Sequence, residues 1–594
     1  MAKNLMSGNE AIARGAFEAG VSFASAYPGT PSTEIVENIA EHYGDVIICE
    51  WAPNEKVAFE AAVGASIIGG RAMAAMKHVG LNVAADPLCT FAYTGVNGGM
   101  VFISADDPGL HSSQNEQDNR FYAKFAKITM LGPSDSQECK DMMKAAFEIS
   151  ETYDTPVMMR MTTRVCHSKS LVEYGEPLPQ KKKEYVRNRA KFDPVPAMAK
   201  GMHTEVEKRW KTLCAFAETS GLTQEEWNGG EIGIVSAGAA YQYAKEVFGD
   251  GASYLKLGLT CPLPIERIRA FGDKVKTLYV IEELEPYIEE QLRAAGIACV
   301  GKSRIPVEGE LNPDIVRKAL LVQETPTFQY DKSIIPIRPP MLCAGCPHVG
   351  FFYELAKQKD VVMIGDIGCY ALSGNPPLNA KDFALCMGSG FSMAHGAAKI
   401  CEKFGDSHKI VGVVGDSTFF HTGMNSLLEA VYNNSNVVLV VVDNRITGMT
   451  GHQENPGSGH RLNGEAAFPA DIEGVARAFG VKDIHKVNPM VLSESREALK
   501  AALAFQGPSL IITRYPCALK KYSKEDFEEF GCDRTPYAVD EDACIGCRLC
   551  LRLGCPAISF DKGRKKAVID RVTCVGCGVC SQVCPKNAIG KVGV

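Results

Sequence analysis

Eight cysteines fall between Cys544 and Cys584, while the other fourteen are scattered over more than 500 residues. Cys574, Cys577, Cys580 and Cys584-Pro585 follow the C-x2-C-x2-C-x3-C-P spacing without deviation. Cys544, Cys547 and Cys550 repeat its first three positions thirty residues earlier, and Cys555-Pro556 follows after four residues rather than three. Each iron–sulfur cubane takes four thiolates, the fourth crossing over from the other run. The spacing therefore predicts one [4Fe-4S] cluster on Cys544, Cys547, Cys550 and Cys584. A second falls on Cys574, Cys577, Cys580 and Cys555, whose extra preceding residue makes it the loosest assignment. A zinc ribbon is the plain alternative, which two tandem triplets with Cys-Pro disfavour. This end of the chain is built to handle single electrons.

A second constellation lies upstream. The stretch GDSTFFHTGMNSLLEAVYNNSNVVLVVVDN begins at Gly415-Asp416 and ends at Asp443-Asn444. One apolar strand delivers Asp416 to its carboxyl end, and the next delivers Asn444 alongside, where parallel sheets bind ligands. Two hard oxygen donors meeting there suit Mg²⁺ shared with a diphosphate, and the helix start beyond Gly415 offers N–H groups to phosphate. The segment resembles the thiamine diphosphate signature, with Ser417 where glycine is usual. In that family the metal site is completed by a backbone carbonyl two residues past the Asn, here Ile446. CMGSGFSMAHGAAK (386–399) resembles the glycine-rich segment that meets the aminopyrimidine ring, through Met387 and Gly388. TGMTGHQ (447–453), with Met449 and Thr450, resembles the loop after the metal site in 2-oxoacid:ferredoxin oxidoreductases. Taken alone, these two segments read as a helix start and a surface loop.

Thiamine chemistry needs a buried carboxylate beside the aminopyrimidine to drive its acid–base step. NEKVAFEAAVGAS (54–66) places Glu55 nine residues before Gly64-Ala65, a spacing similar to that of pyrimidine-binding domains. Glu55 is favoured over Glu60 on the same helix. SAYPGTPSTEI (25–35) resembles the YPxTPS motif whose loop meets the substrate carboxylate, which implies roles for Thr30 and Thr33. The same Ser32 or Thr33 would also cap the helix that follows. KHVGLNVAADP (77–87) offers Lys77 and His78 to the substrate side, although a satisfied core histidine is the plainer reading of His78.

Over its full length the order of parts resembles the alpha subunits of indolepyruvate-type 2-oxoacid:ferredoxin oxidoreductases. The resemblance implies oxidative decarboxylation of an aryl 2-oxoacid, indolepyruvate first, to its acyl-CoA, with electrons leaving for ferredoxin. Phenylpyruvate, pyruvate or a branched-chain 2-oxoacid as substrate, or a non-oxidative thiamine-dependent decarboxylase, stand as alternatives. A smaller beta subunit, in a heterodimer or heterotetramer, is implied as partner. LCAGCPH (342–348) carries a further pair, Cys343 and Cys346. Relatives hold a cluster next to thiamine with such a pair, a cysteine in a G-I-G-C segment and another in a P-C segment, which implies Cys369 and Cys517 as the remaining ligands. Packed, unligated thiols remain open for the pair because Pro347-His348 departs from the usual glycine. A zinc site is a lesser alternative, and a redox dithiol is disfavoured because the pair does not sit between a strand and a helix of a thioredoxin-like fold.

The rest of the chain must position these groups. At 594 residues it is too long for one core. Alternating strand and helix patterns, such as VIICE (46–50) and GGMVFIS (98–104), predict α/β domains with parallel sheets and a C-terminal α+β two-cluster ferredoxin domain. The expected boundaries are a pyrimidine-binding domain over 1–178, a linker or helical segment over 179–229 and a transketolase C-terminal-like domain over 230–333. A diphosphate-binding domain over 334–534 and the ferredoxin domain over 535–594 complete the set. The amino-terminal MAKNLMSGNEAIARGAFEAG reads as a helix without signal-peptide character. The net charge of -7 argues against nucleic acid, and the absence of 18 consecutive apolar residues argues against a membrane span. The scattered cysteines point to a reducing compartment, so a soluble cytoplasmic protein is expected.

Overall fold

The computed structural model describes residues 3–326, 328–336, 339–531 and 533–593. The chain divides into two compact units, Met1–Tyr330 and Asp331–Val594.

The first unit is organised on a seven-stranded sheet. Its order is Leu259–Cys261, Thr129–Leu131, Val157–Thr162, Met100–Asp106, Ala72–Lys77, Phe23–Ala26 and Ile48–Trp51. All neighbours are parallel except Leu259–Cys261, which runs antiparallel to Thr129–Leu131. The two central strands, Ala72–Lys77 and Met100–Asp106, are buried at every position, as strands covered on both faces by helices must be. Strand carboxyl ends therefore deliver Lys77-His78 and Asp106-Asp107 to one edge of the sheet. The predicted strands shift by one or two residues: Gly98 and Gly99 precede the second one instead of joining it. The amino terminus begins as a strand, Lys3–Ser7, paired antiparallel with Lys169–Glu173. The helix starts only at Gly8, where Ser7 and Glu10 form a capping box.

A second sheet in this unit has the order Thr277–Ile281, Ile232–Ser236, Ser253–Leu257 and Thr223–Glu226. Its edge strand Thr223–Glu226 lies within the segment read from sequence as linker, behind the 24-residue helix Pro196–Thr219.

The second unit carries a five-stranded parallel sheet. It runs Val361–Ile364, Lys409–Gly415, Val438–Asp443, Ser509–Arg514 and Asp483–Val487. Lys409–Gly415 and Val438–Asp443 read Val-Val and Val-Val-Val because both faces are covered. Their register, Gly415 opposite Val442, sets Asp416 beside Asp443. Beyond the sheet, two ribbons, Tyr537–Val539 with Ile589–Lys591 and Ile558–Asp561 with Lys566–Ile569, hold the eight-cysteine segment. Leu553, Val579 and seven of the eight terminal cysteines, all but Cys547, share one apolar cluster with Leu342, Val349 and Leu492. Gln582 also bonds Leu492 N at 3.0 Å and the Met490 carbonyl at 2.8 Å. The cysteine module is thus packed directly on the parallel-sheet body. Among the described residues no helix is long and apolar enough to cross a membrane.

Candidate cofactor site and cysteine cages

Asp416 opens a short α turn, Asp416–Thr418, followed by a π turn, Phe419–Gly423, before the helix Met424–Tyr432. Such π turns cluster at functional sites because they re-aim side chains. Here the π turn carries Thr422, whose hydroxyl donates to the Met387 carbonyl at 3.1 Å. Gly388 follows at φ +85°, and a Cβ there would lie 1.8 Å from Thr422 Oγ1. Any side chain at position 388 would be strained and would displace Thr422.

Asp416 and Asn444 are both buried. Asp416 Oδ2 accepts from Asn455 Nδ2 at 2.9 Å. Burial, with the Asp443 carboxylate adjoining, pushes the Asp416 carboxyl up to about 8. Asn444 Oδ1 accepts from Ile446 N at 3.3 Å, and Asn444 Nδ2 lies 3.5 Å from His348 Nε2. Asp443 is already served by Arg514 at 3.7 Å and by Arg445 N at 2.9 Å, which leaves the Asp416 carboxylate and the Asn444 amide as the buried oxygen donors at this strand end. This donor set fits Mg²⁺, which takes hard oxygens and shares them with phosphate. Ser417 is buried beside Asp416. Met449 is half exposed, and the Thr450 hydroxyl donates to Gln453 Oε1 within its own loop.

The sequence did not reveal Asp366, Asn455 or His348. Asp366, buried at the end of Val361–Ile364, accepts from Gly390 N at 2.7 Å and so anchors the helix that follows Gly388. Burial pushes its carboxyl up to about 7. His348, wholly buried, is pulled down to about 4 by desolvation and stands neutral. Its place right after the Cys-x-x-Cys pair was the available signal.

The cysteines sort into three groups. Cys544, Cys547, Cys550 and Cys584 line a cavity of about 20 Å³. Cys555, Cys574, Cys577 and Cys580 line another of about 30 Å³, which Cys343 and Cys346 also border. These are the crossed sets read from the spacing. The extra residue before Cys555 is taken up in the 3-10 turn Leu549–Leu553, closed by Gly554. Cys346, Cys369, Cys517 and Cys343 form the third group: burial raises the Cys346 thiol, and the other three sulfurs raise it further. The group adjoins the metal-donor loop. Cys517 N donates to the Asn444 carbonyl at 3.0 Å, Cys517 Sγ lies 3.7 Å from His452 Nε2, and a Cβ at Gly448 would lie 3.6 Å from Cys369 Sγ. Among the described residues no three His, Cys, Asp or Glu side chains gather tightly enough to share a single ion; the terminal eight instead surround cavities.

In the first unit, Glu55 is buried at the start of the helix Glu55–Ile67, which Asn54 caps by accepting from Val57 N at 2.9 Å. Glu60 is exposed and paired with Lys56 at 2.5 Å, so only Glu55 has the environment of an internal carboxylate. Thr33 is buried with its hydroxyl unsatisfied, and Thr30 is half-buried. Ser32 does not cap the helix through its side chain; its hydroxyl turns back to the Gly29 carbonyl at 3.0 Å. Lys77 packs under Gly29 and donates to the Ser112 carbonyl, and burial brings its ammonium down to about 8 against the attraction of Asp107. His78 is buried, with Nε2 3.3 Å from the Asn115 carbonyl and Nδ1 unsatisfied. The structure thus joins Lys77 to the substrate-type loop, and one His78 nitrogen remains available.

Residues 14–219 match the family described as pyruvate flavodoxin/ferredoxin oxidoreductase, thiamine diphosphate-binding. Residues 366–513 match the C-terminal thiamine pyrophosphate-binding domain of thiamine pyrophosphate enzymes, and 533–588 match the 4Fe-4S dicluster domain. The indolepyruvate oxidoreductase subunit IorA of Pyrococcus horikoshii is 40% identical over 99% of this chain and 97% of the relative. That of Methanothermobacter marburgensis is 41% identical over the same shares. The 2-oxoglutarate synthase subunit KorA of Methanothermobacter thermautotrophicus is 27% identical over 49% of this chain and 91% of its own.

Proposed function

Since the chain belongs to the family of indolepyruvate oxidoreductase IorA subunits, thiamine diphosphate-dependent 2-oxoacid:ferredoxin oxidoreductases, we propose that it oxidatively decarboxylates aryl 2-oxoacids, with indolepyruvate foremost. In this reading the acyl group passes to coenzyme A, the electrons pass to ferredoxin, and a smaller beta subunit completes a cytoplasmic enzyme. The observation that carries the redox half is the junction at Asn444. Its side chain belongs to the oxygen-donor set, and its carbonyl bonds the Cys517 backbone at 3.0 Å. A non-oxidative decarboxylase has no use for a cysteine group at that position.

Thiamine diphosphate, when bound, supplies carbanion stabilisation at the former keto carbon. The protein's own residues do the rest. Asp416, Asn444 and the Ile446 carbonyl would hold Mg²⁺, with Gly415 and Ser417 at the helix start offered to the diphosphate. Met387 and Gly388 present backbone to the aminopyrimidine, and Met449 and Thr450 close the loop beyond the metal site. Glu55 holds a proton at the ring nitrogen of the aminopyrimidine, work suited to a carboxylate kept from water. Thr30, Thr33, Lys77 and His78 orient the substrate carboxylate. Cys544, Cys547, Cys550 and Cys584 hold one [4Fe-4S] cluster, and Cys574, Cys577, Cys580 and Cys555 hold the second. Cys343, Cys346, Cys369 and Cys517 hold a third.

The test is CoA-dependent reduction of a viologen dye by the chain co-expressed with its partner subunit, over a panel of 2-oxoacids. Indolepyruvate is expected to give the highest kcat/KM, above phenylpyruvate, pyruvate and branched-chain 2-oxoacids. A complex that bleaches no dye with any 2-oxoacid overturns the reading, and a higher value for pyruvate overturns the substrate assignment.

A further inference from the structure

After its last sheet strand, Ser509–Arg514, the chain folds back over the loop that carries the oxygen donors. Tyr515 N donates to the Asp443 carbonyl at 3.1 Å, and Cys517 N to that of Asn444 at 3.0 Å. Between the two donor residues Asn444 and Ile446 stands Arg445, at φ +60°, a left-handed conformation that L side chains rarely adopt. Something must hold it there. Arg445 N donates to Asp443 Oδ1 at 2.9 Å, and its guanidinium donates to Asp526 Oδ1 at 2.6 Å. Asp526 is fully buried. Its other oxygen accepts from Lys520 Nζ at 3.0 Å and from Ser523 N at 2.9 Å, closing a capping box on the helix Lys524–Phe530. A buried carboxylate with three charge-assisted or backbone partners is a rigid post, and Arg445 links it to the donor loop; the more exposed Glu529 lies farther from the same guanidinium nitrogen, at 3.8 Å.

We propose that Asp526 is a positioning residue: by pinning Arg445 it holds the Asn444 amide and the Ile446 carbonyl at the spacing a divalent cation requires. Lys520, which bonds Asp526, also donates its backbone N–H to the Cys517 carbonyl at 3.0 Å, so the same element touches both the oxygen-donor loop and the cysteine group. This rests on the reading that Asp416, Asn444 and Ile446 hold Mg²⁺ with thiamine diphosphate. Partners that orient metal donors without touching the metal typically alter affinity by about 10–100-fold when removed.

The experiment titrates Mg²⁺ calorimetrically, in saturating thiamine diphosphate, into the anaerobically purified complex. Wild type is compared with D526N, D526E, R445M and D416A, and iron per chain and apo thermal midpoint are read on each. D526N and R445M are expected to raise the half-saturating Mg²⁺ concentration by about 10–100-fold. Their double variant should go no further than either alone, because both remove one interaction. D526E should recover most of the affinity. If D416A binds Mg²⁺ as wild type does, the metal-site reading itself fails. If D416A loses binding while D526N keeps wild-type affinity, or if D526N lowers only the thermal midpoint, the positioning role of Asp526 is overturned. Should D526N not fold, R445M carries the same expectation and the same refutation.

Discussion

If Glu55 does the acid–base work proposed for it, Gly80 is the least conspicuous residue on which that work depends. It sits in the short helix His78–Val83, facing Glu55. A Cβ built there would lie 2.5 Å from Glu55 Oε1 and 2.6 Å from its Cγ. Ordinary contacts begin near 3.5 Å, so G80A forces the carboxylate to retreat by roughly 1 Å. The backbone itself tolerates alanine, which improves helix propensity by about 0.8–1.0 kcal/mol over glycine. The variant should therefore fold as well as wild type and still lose activity. A misplacement of about 1 Å in a catalytic group costs on the order of 10²-fold, equivalent to about 2.7 kcal/mol in the barrier. The assay is kcat/KM for 2-oxoacid-dependent dye reduction, with E55Q alongside and the thermal midpoint as the folding control. E55Q should lose about 10²–10⁴-fold, and G80A should approach it. A G80A enzyme within threefold of wild type, beside a crippled E55Q, would show that Glu55 need not stand where the structure puts it. If E55Q is fully active, the carboxylate has been assigned to the wrong residue.

Other expectations follow from the same kind of contact. G388A puts a Cβ 1.8 Å from Thr422 Oγ1 at φ +85°; it should destabilise by about 1–3 kcal/mol and weaken thiamine diphosphate binding, both readable by thermal melts with and without the cofactor. C517S should lower iron from about twelve to about eight atoms per chain if its group holds a cluster; a wild-type count of about eight would leave only the two terminal clusters. Burial raises the Glu283 carboxyl to about 7, above its unfolded value of 4.5. Its protonated form then stabilises the fold fully below about pH 4.5, and that contribution is lost as pH rises through about 7. E283Q should accordingly gain up to about 3 kcal/mol over wild type at pH 8 and little at pH 4.5, as measured by denaturant melts at the two values.

What the sequence disclosed and what it concealed divide along a physical line. The grouping of the terminal cysteines and the juxtaposition of Asp416 with the Asp443-Asn444 strand end were legible because a tandem cysteine repeat and a strand–helix–strand unit keep their members at short, countable separations. The two buried strands before them were legible because a parallel strand covered on both faces must be continuously apolar. Leu259–Cys261 and Thr223–Glu226 were not, since three or four residues at a sheet edge carry no periodicity of their own. Asn455, Asp366 and His348 escaped for a different reason: each earns its role from a tertiary neighbour, and neither spacing nor residue type announces it. The Cys343 group lies between these cases, with its members 174 residues apart from first to last. Only the fold shows why such distant positions are related. Cys517 follows the strand that pairs with the one ending at Asp443, so the backbone ladder that aligns Asp443 with Arg514 also delivers Cys517 to Asn444. A sheet register, rather than a motif, ties the oxygen donors to the cysteines, and shifting it by one residue would reverse which face each neighbour presents. On the proposed reading, coupling between the oxygen donors and the cysteine group is a property of two adjacent strands, and substitutions that disturb their pairing should impair metal binding and cluster occupancy together.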